Sequence, residues 1–228
     1  MKKAALKPDP CGKVGTIAEV AAVVAHEMRT PLTAIKNSIY YLKMIGVEGY
    51  DPKIAPHISL INEKLDFCVR MLTNLQSFVQ SARPIRKEVR LNDILTQSAS
   101  LSLPHSKIKI VTDFGDKMPP VMADPFQLRQ VFDNIIRNAI EAMLGGGTLT
   151  ISAKARDCCA VVEFKDTGAG IPSENMDKVF TPLFSTTPHN VGLGLTISKQ
   201  FVEANDGTID IESEPGKGMT VRIKLPYK

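Results

Sequence analysis

Between residues 54 and 79 the apolar side chains Ile54, Ile58, Ile61, Leu65, Cys68, Leu72, Leu75 and Val79 recur with gaps that alternate 4 and 3 without a break. A strand cannot gather such a series on one face, whereas a helix puts all of it on a single stripe. The stripe runs for more than three heptads and has the form of a seam that packs against other helices. Upstream, over about residues 14–46, Ile17, Val20, Val24, Met28, Ile35, Ile39 and Leu42 mark another long amphipathic helix, with Pro31 as an interior flaw. Gly46-Val47-Glu48-Gly49-Tyr50-Asp51-Pro52 lies between the two and is rich in helix breakers. The pattern predicts a helical hairpin. Two such helices cannot enclose their own seams, so a dimeric four-helix bundle is the expected assembly.

The second half changes period. Residues 107–114, 147–155, 160–165, 207–213 and 219–225 carry β-branched or alternating patterns that predict strands. Helical patterns fall at about 92–102, 124–144 and 191–205. One mixed sheet under a helical layer, an α+β sandwich, accounts for this order. Between the halves, Ser81-Ala82-Arg83-Pro84-Ile85-Arg86-Lys87 reads as a linker, either solvated or with its basic residues, counting Arg90, touching a partner or a neighbouring domain. The expected division is a helical domain at 13–83, a linker at 84–90 and a sandwich domain at 91–228.

Composition removes several classes of function. Hydrophobic residues make up 43% of the 228 and charged residues 23%, which suits a packed fold and not a disordered chain. No apolar run approaches the roughly 18 residues of a membrane span, and Met1-Lys2-Lys3 does not open a signal peptide. The four cysteines stand at 11, 68, 158 and 159, with no zinc or redox spacing, so reduced thiols and a cytoplasmic location are expected. The net charge of +4 divides into +6 over residues 1–90 and −2 over 91–228. Neither half concentrates the basic stripe that a nucleic-acid platform needs.

Chemistry is concentrated in three places. In Ala25-His26-Glu27-Met28-Arg29-Thr30-Pro31-Leu32, His26 falls two residues from both Val24 and Met28, so its ring points away from the apolar seam. Glu27 can orient that imidazole or take its proton, Thr30 stands one helical turn on, and Pro31 loosens the backbone beside them. Over 124–144, Leu128, Phe132, Ile135 and Ala139 form an apolar face, while Gln130, Asn134, Asn138 and Glu141 form a polar one. Asparagine is a mediocre helix former, so two stacked on one face suggest a ligand, and amide oxygens suit Mg²⁺ held jointly with phosphates. Asp166-Thr167-Gly168-Ala169-Gly170-Ile171 follows a strand, and its glycines permit close backbone approach. Gly192-Leu193-Gly194-Leu195 opens a helix, where free N–H groups favour phosphate. Val179–Thr187 between them has the character of a lid.

In this order the motifs resemble the catalytic core of a two-component sensor histidine kinase, from about residue 13 to the C-terminus. The octet at 25–32 is similar to the H box of the dimerisation and phosphotransfer domain, and Asn134–Met143 to the N box. Asp166–Ile171, Phe180–Phe184 and Gly192–Leu195 are similar to the G1, F and G2 boxes of the ATP-binding domain. The run Asn-Ala-Ile-Glu-Ala at 138–142 points to the nitrogen-regulation-type subgroup. The resemblance implies a dimeric helical hairpin followed by a Bergerat-type ATP-binding sandwich. It implies autophosphorylation of His26 from MgATP, then transfer to an aspartate on a response regulator receiver domain. It makes Asn138 the Mg²⁺ ligand, Asn134 a support for the metal or the phosphates and Asp166 the reader of adenine, with Gly168, Gly170, Gly192 and Gly194 shaping the pocket. Glu27 assists His26, and Thr30 matches the position that orients water for removal of phosphate from the regulator. The chain departs from the family pattern in its lid. Thr187 and Pro188 stand where a lysine is usual, and Asn190-Val191 replaces Gly-Thr. Two other readings are an ATPase of the chaperone or mismatch-repair type, which lacks an H box, and a degenerate kinase acting as a scaffold.

Overall fold

The computed structural model describes residues 28–30, 32–40, 42, 44, 54–79, 83–101, 107–115, 118–185 and 192–227. The chain divides into two compact units, residues 1–82 and 83–228.

In the first unit, α1 (helical residues 28–30 and 32–40) packs on α2 (Ile54–Val79). Arg29 Nη2 donates to Thr73 Oγ1 at 3.2 Å and to Gln76 Oε1 at 2.7 Å. Lys36 forms an ion pair with Asp66. Ile39, Ile58 and Leu65 make a small core with Leu32 against it. Partners on α2 fall in number as those on α1 rise, so the two helices run antiparallel. This pairing covers only part of each stripe. Ile58 and Leu65 are buried, but Ile61 stays 46% exposed, and Met28 and Ile35 are 48% and 47% exposed. Among the described residues no helix is long and apolar enough to cross a membrane.

The second unit is an α/β sandwich. Its elements are β1 (Lys87–Val89), α3 (Leu91–Leu101), β2 (Ile108–Phe114), β3 (Val121–Ala123), α4 (Pro125–Ala142), β4 (Gly147–Arg156), β5 (Cys159–Asp166), a 3₁₀ turn at Ser173–Lys178, α5 (Gly194–Ala204), β6 (Thr208–Glu214) and β7 (Gly218–Pro226). Five strands form a mixed sheet in the order β2-β4-β5-β7-β6, with β2 parallel to β4 and the other pairs antiparallel. Strand alternation sends Leu149, Ile151, Ala153, Val162, Phe164, Val221, Ile223 and Leu225 into the core. Helix α4 answers with Leu128, Phe132, Ile135 and Ala139, all buried, and the Phe132 and Phe164 rings meet at 5.7 Å between centroids. Each of these Val, Leu, Ile and Phe side chains removed from water contributes about 1.5–3 kcal/mol.

All five expected strands form, within about a residue of their expected ends. The stretch read as a linker differs. Lys87–Val89 pairs antiparallel with Val121–Ala123 as a separate two-stranded sheet. The Ile85 N–H donates to Asp124 Oδ2 at 2.8 Å, and the Arg86 guanidinium bonds the Asp206 carboxylate and the Ala204 carbonyl. Residues 85–89 are therefore sewn into the sandwich. Two strands of three residues are too short to display a period, and the basic side chains around the buried Val89 masked it.

Asp124 is the knot of this attachment. It caps α4, its Oδ1 accepting from the Phe126 and Gln127 N–H groups at 2.9 and 3.2 Å, ahead of Pro125 in the first turn. Its own N–H donates to Asn205 Oδ1, which ties α4 to the end of α5. Replacing Asp124 by Ala removes the cap and the Ile85 anchor together. The expected loss is about 2 kcal/mol or more in a urea titration. A loss below about 0.5 kcal/mol, the size of an ordinary surface change, would contradict this role.

Candidate functional site

The inward positions of β5 alternate as Ala160, Val162, Phe164 and Asp166. The last is where the strand leaves the core, and there the side chain changes from apolar to a carboxylate with 2% exposure. Backbone donors from two other segments bond the same oxygen: Gly168 N–H at 2.8 Å and Met219 N–H at 3.2 Å, each to Oδ1. Asp166 lines the cavity. Burial raises the Asp166 pKa above the ordinary carboxylate value, and the bonds from the Gly168, Met219 and Asp166 backbone N–H groups oppose that rise without cancelling it.

The loop after β5 is latched on both sides. A Cβ on Gly168 would lie 2.7 Å from the Ala142 Cβ and 2.8 Å from its carbonyl, so only glycine lets the loop close on the end of α4. The Ala169 N–H donates to that carbonyl at 3.2 Å. Gly170 has φ +68°, and a Cβ there would run into the Glu214 carbonyl. Gly216 N–H donates to Ala169 O at 2.7 Å and Ile171 N–H to Ser213 Oγ at 2.8 Å, which fixes the far side on the β6–β7 turn.

Helix α4 supplies the adjoining wall. Asn138 and Glu141 line the cavity, and Ala142 reaches it beside Gly168. Asn134, one turn before Asn138, holds a buried Nδ2 with no hydrogen-bond partner. The Cβ position of Gly194 lies 3.7 Å from Asn134 Cγ, so the start of α5 stands directly over this amide. Leu193 offers no side-chain cap to α5, which leaves the first-turn N–H groups without one at the cavity rim. Gly192 adopts φ +72°, and a Cβ on it would strike the Phe184 carbonyl. Its own carbonyl accepts the Leu183 N–H at 3.0 Å, which pins the Phe180–Phe184 segment to the entry of α5.

These segments enclose a cavity of about 420 Å³. Among the sequence-derived candidates, Asn138, Asp166, Gly170, Gly192 and Gly194 line it, Gly168 packs directly behind it and Asn134 lies under the Gly194 wall. Thr30 is an exposed residue of the other unit, while His26, Glu27 and the lid departures at Thr187–Val191 lie outside the described residues. The cavity also uses Leu144 and Met219, which lay in no motif, and Glu141, Ile171, Val179 and Leu195, which lay in the motifs without an assigned role. Glu141 had a signal, its place on the polar stripe of α4. Met219 had none, since its strand is distant in sequence and only the fold brings its N–H to Asp166.

A family model described as "Histidine kinase-, DNA gyrase B-, and HSP90-like ATPase" matches residues 123–228. Sporulation kinase C of Bacillus subtilis is 34% identical over 220 residues, covering 95% of this chain and 50% of that protein. Sporulation kinase E of the same organism is 33% identical over 216 residues, covering 93% of this chain and 29% of that protein. The chain thus spans half or less of the length of these relatives. Full-length ShkA, solved in complex with AMPPNP, shares the fold with a TM-score of 0.71 at 24% identity, over 92% of this chain and 46% of that one.

The raised pKa of Asp166 has a measurable consequence. A carboxyl whose folded pKa exceeds its unfolded value stabilises the fold fully below the unfolded pKa. That contribution is lost as pH rises through the folded pKa. Asp166→Asn keeps an oxygen for Gly168 and Met219 and removes the buried charge. Its melting temperature is expected to equal or exceed that of the parent at pH 7, with the difference vanishing below the ordinary carboxylate range. A deficit of constant size at every pH would contradict this account.

Proposed function

We propose that MgATP is the ligand of this cavity and the phosphoryl donor for His26, in a chain that is a sensor histidine kinase catalytic core and whose residues 123–228 belong to the histidine kinase-, DNA gyrase B- and HSP90-like ATPase family. One observation carries the reading. A buried carboxylate oxygen and an uncapped helix start border one cavity, and α4 measures the distance between them. Ala142 packs on the Asp166 loop and Asn134 lies beneath Gly194. Eight residues of helix separate those two contacts, about 12 Å at 1.5 Å per residue, which is the scale of a nucleoside triphosphate. The Asp166 carboxylate accepts from the adenine amino group, and the N–H groups opening α5 receive phosphate oxygens.

The donor set fits a magnesium ion shared with its nucleotide. Among the described residues no three His, Cys, Asp or Glu side chains gather to hold a metal alone. Asn138 is the side chain that would hold Mg²⁺, the rest of the shell coming from phosphates and water. The ion supplies neutralisation of charge on the transferring phosphoryl group. The Asn134 Nδ2, buried without a hydrogen-bond partner, is a donor near the start of α5. His26 attacks the γ-phosphorus in its neutral form. The bond from that phosphorus to the ADP oxygen breaks as the ring nitrogen bonds to it, and the ring proton passes to Glu27. The phosphoryl group then leaves the ring for an aspartate carboxylate of a response regulator receiver domain. The half-exposed stripes of Met28, Ile35 and Ile61 support a homodimer built through the helical unit as a four-helix bundle. The expected setting is cytoplasmic.

Incubation with γ-labelled ATP and Mg²⁺ tests the reaction. Label that is lost in acid and kept in alkali is expected on the parent chain. Asn138→Ala is expected to stay folded, to bind ATP at least tenfold more weakly in Mg²⁺ and to take up almost no label. Normal labelling of that variant would overturn the assignment of Asn138.

Thr30 separates two chemistries. It is exposed on α1, and a hydroxyl one turn from His26 can hold a water in line with a receiver phosphoaspartate. Thr30→Ala is therefore expected to retain autophosphorylation within a few-fold and to lose most dephosphorylation of the regulator. Equal losses in both rates, with a lowered melting temperature, would reduce Thr30 to a helix-supporting residue.

A further inference from the structure

The nucleotide reading assigns Asn134, Asn138 and Asp166 but gives no ligand to a second carboxylate in the cavity wall. Glu141 lines the cavity on the polar stripe of α4, one turn after Asn138 and one residue before Ala142. Besides Asp166 it is the only acidic side chain among the described lining residues. The two ends of α4 fix what can lie beside it. Ala142 touches the Asp166 loop, whose Ala169 N–H bonds its carbonyl, so the base lies at that end. Asn134 lies under the start of α5, so the phosphates lie at the other. In a nucleotide the sugar is covalently placed between base and phosphates. Glu141 stands about 4.5 Å of helix rise beyond Asn138 toward the base. A carboxylate there is repelled by a polyphosphate and has no charge partner in an adenine ring. It is matched by groups that donate hydrogen bonds, and the sugar hydroxyls are the donors a nucleotide presents between its two ends.

Resting on the proposed nucleotide site, we infer that Glu141 is a specificity residue that accepts hydrogen bonds from the ribose hydroxyls and makes the site select ribonucleotides. A hydrogen bond to a charged acceptor is worth more than one between neutral groups, so discrimination of about tenfold or more is expected.

The test measures affinities of the full chain for ATP, 2′-deoxy-ATP and 3′-deoxy-ATP by titration calorimetry in Mg²⁺, for the parent, Glu141→Ala and Glu141→Gln. The parent is expected to bind ATP about tenfold more tightly than at least one deoxy analogue. Glu141→Ala is expected to bind all three alike, at the level of the weaker analogue, and Glu141→Gln to keep part of the preference. Equal binding of all three by the parent overturns the inference while leaving the nucleotide site standing. So does a preference that survives in both variants. An equal loss for all three nucleotides that disappears without Mg²⁺ assigns Glu141 to the metal instead and also overturns it. A parent that binds none of them removes the nucleotide reading and this inference together.

Discussion

The site depends on one carboxylate held at the edge of the core. Asp166 occupies an inward position of β5, where the preceding inward residues are Phe164 and Val162. A charge buried there is costly. It is tolerated because backbone N–H groups from two separate segments, the loop at Gly168 and strand β7 at Met219, converge on one of its oxygens. That arrangement dictates much of the surrounding structure. The loop must pass within contact of Ala142, which requires glycine at 168. The β6–β7 turn must bring Gly218, at φ +98°, against the Asp166 carbonyl, which no other residue could approach so closely.

Helix α4 carries this local geometry across the unit. Its apolar face is buried against the sheet, and its polar face forms one wall of the cavity. A single rigid element therefore serves packing and ligand at once, and the register between its two faces sets where ligand-facing groups stand. Asp124 fixes where the helix begins, and through Ile85 it also fixes where the chain enters the sandwich. The entry of the polypeptide and the wall of the cavity are thus braced by the same carboxylate.

Much of this was legible in the sequence because it obeys a period. The five sheet strands alternate, α4 carries two faces at helical spacing, and the seam from Ile54 to Val79 is unbroken. The glycines at 168, 170 and 192 were legible because close approach or positive φ selects that residue, whereas Gly194 has room for a side chain. Other features have no period to read. Strands β1 and β3 have three residues each and depend on pairing with one another. Met219 reaches Asp166 only through the order of strands in the sheet. Glu141 stood on the right stripe, but only the fold distinguishes a cavity wall from a solvated face. In the helical unit, the exposure of Ile61 beside buried Ile58 and Leu65 shows that a seam continuous in sequence is divided between two faces in space.

The central claim is that a nucleotide spans the cavity from Asp166 to the start of α5. Amide nuclear magnetic resonance during a titration of the full chain with a non-hydrolysable ATP analogue and Mg²⁺ tests it most directly. The account predicts the largest shifts at the Gly168 and Met219 N–H groups, at the side-chain amides of Asn134 and Asn138, and at the N–H groups of Gly194 and Leu195. Signals from β1 and from the far ends of β4 and β5 should stay in place. Shifts confined to one end of α4, or none at either end at saturating analogue, would contradict it.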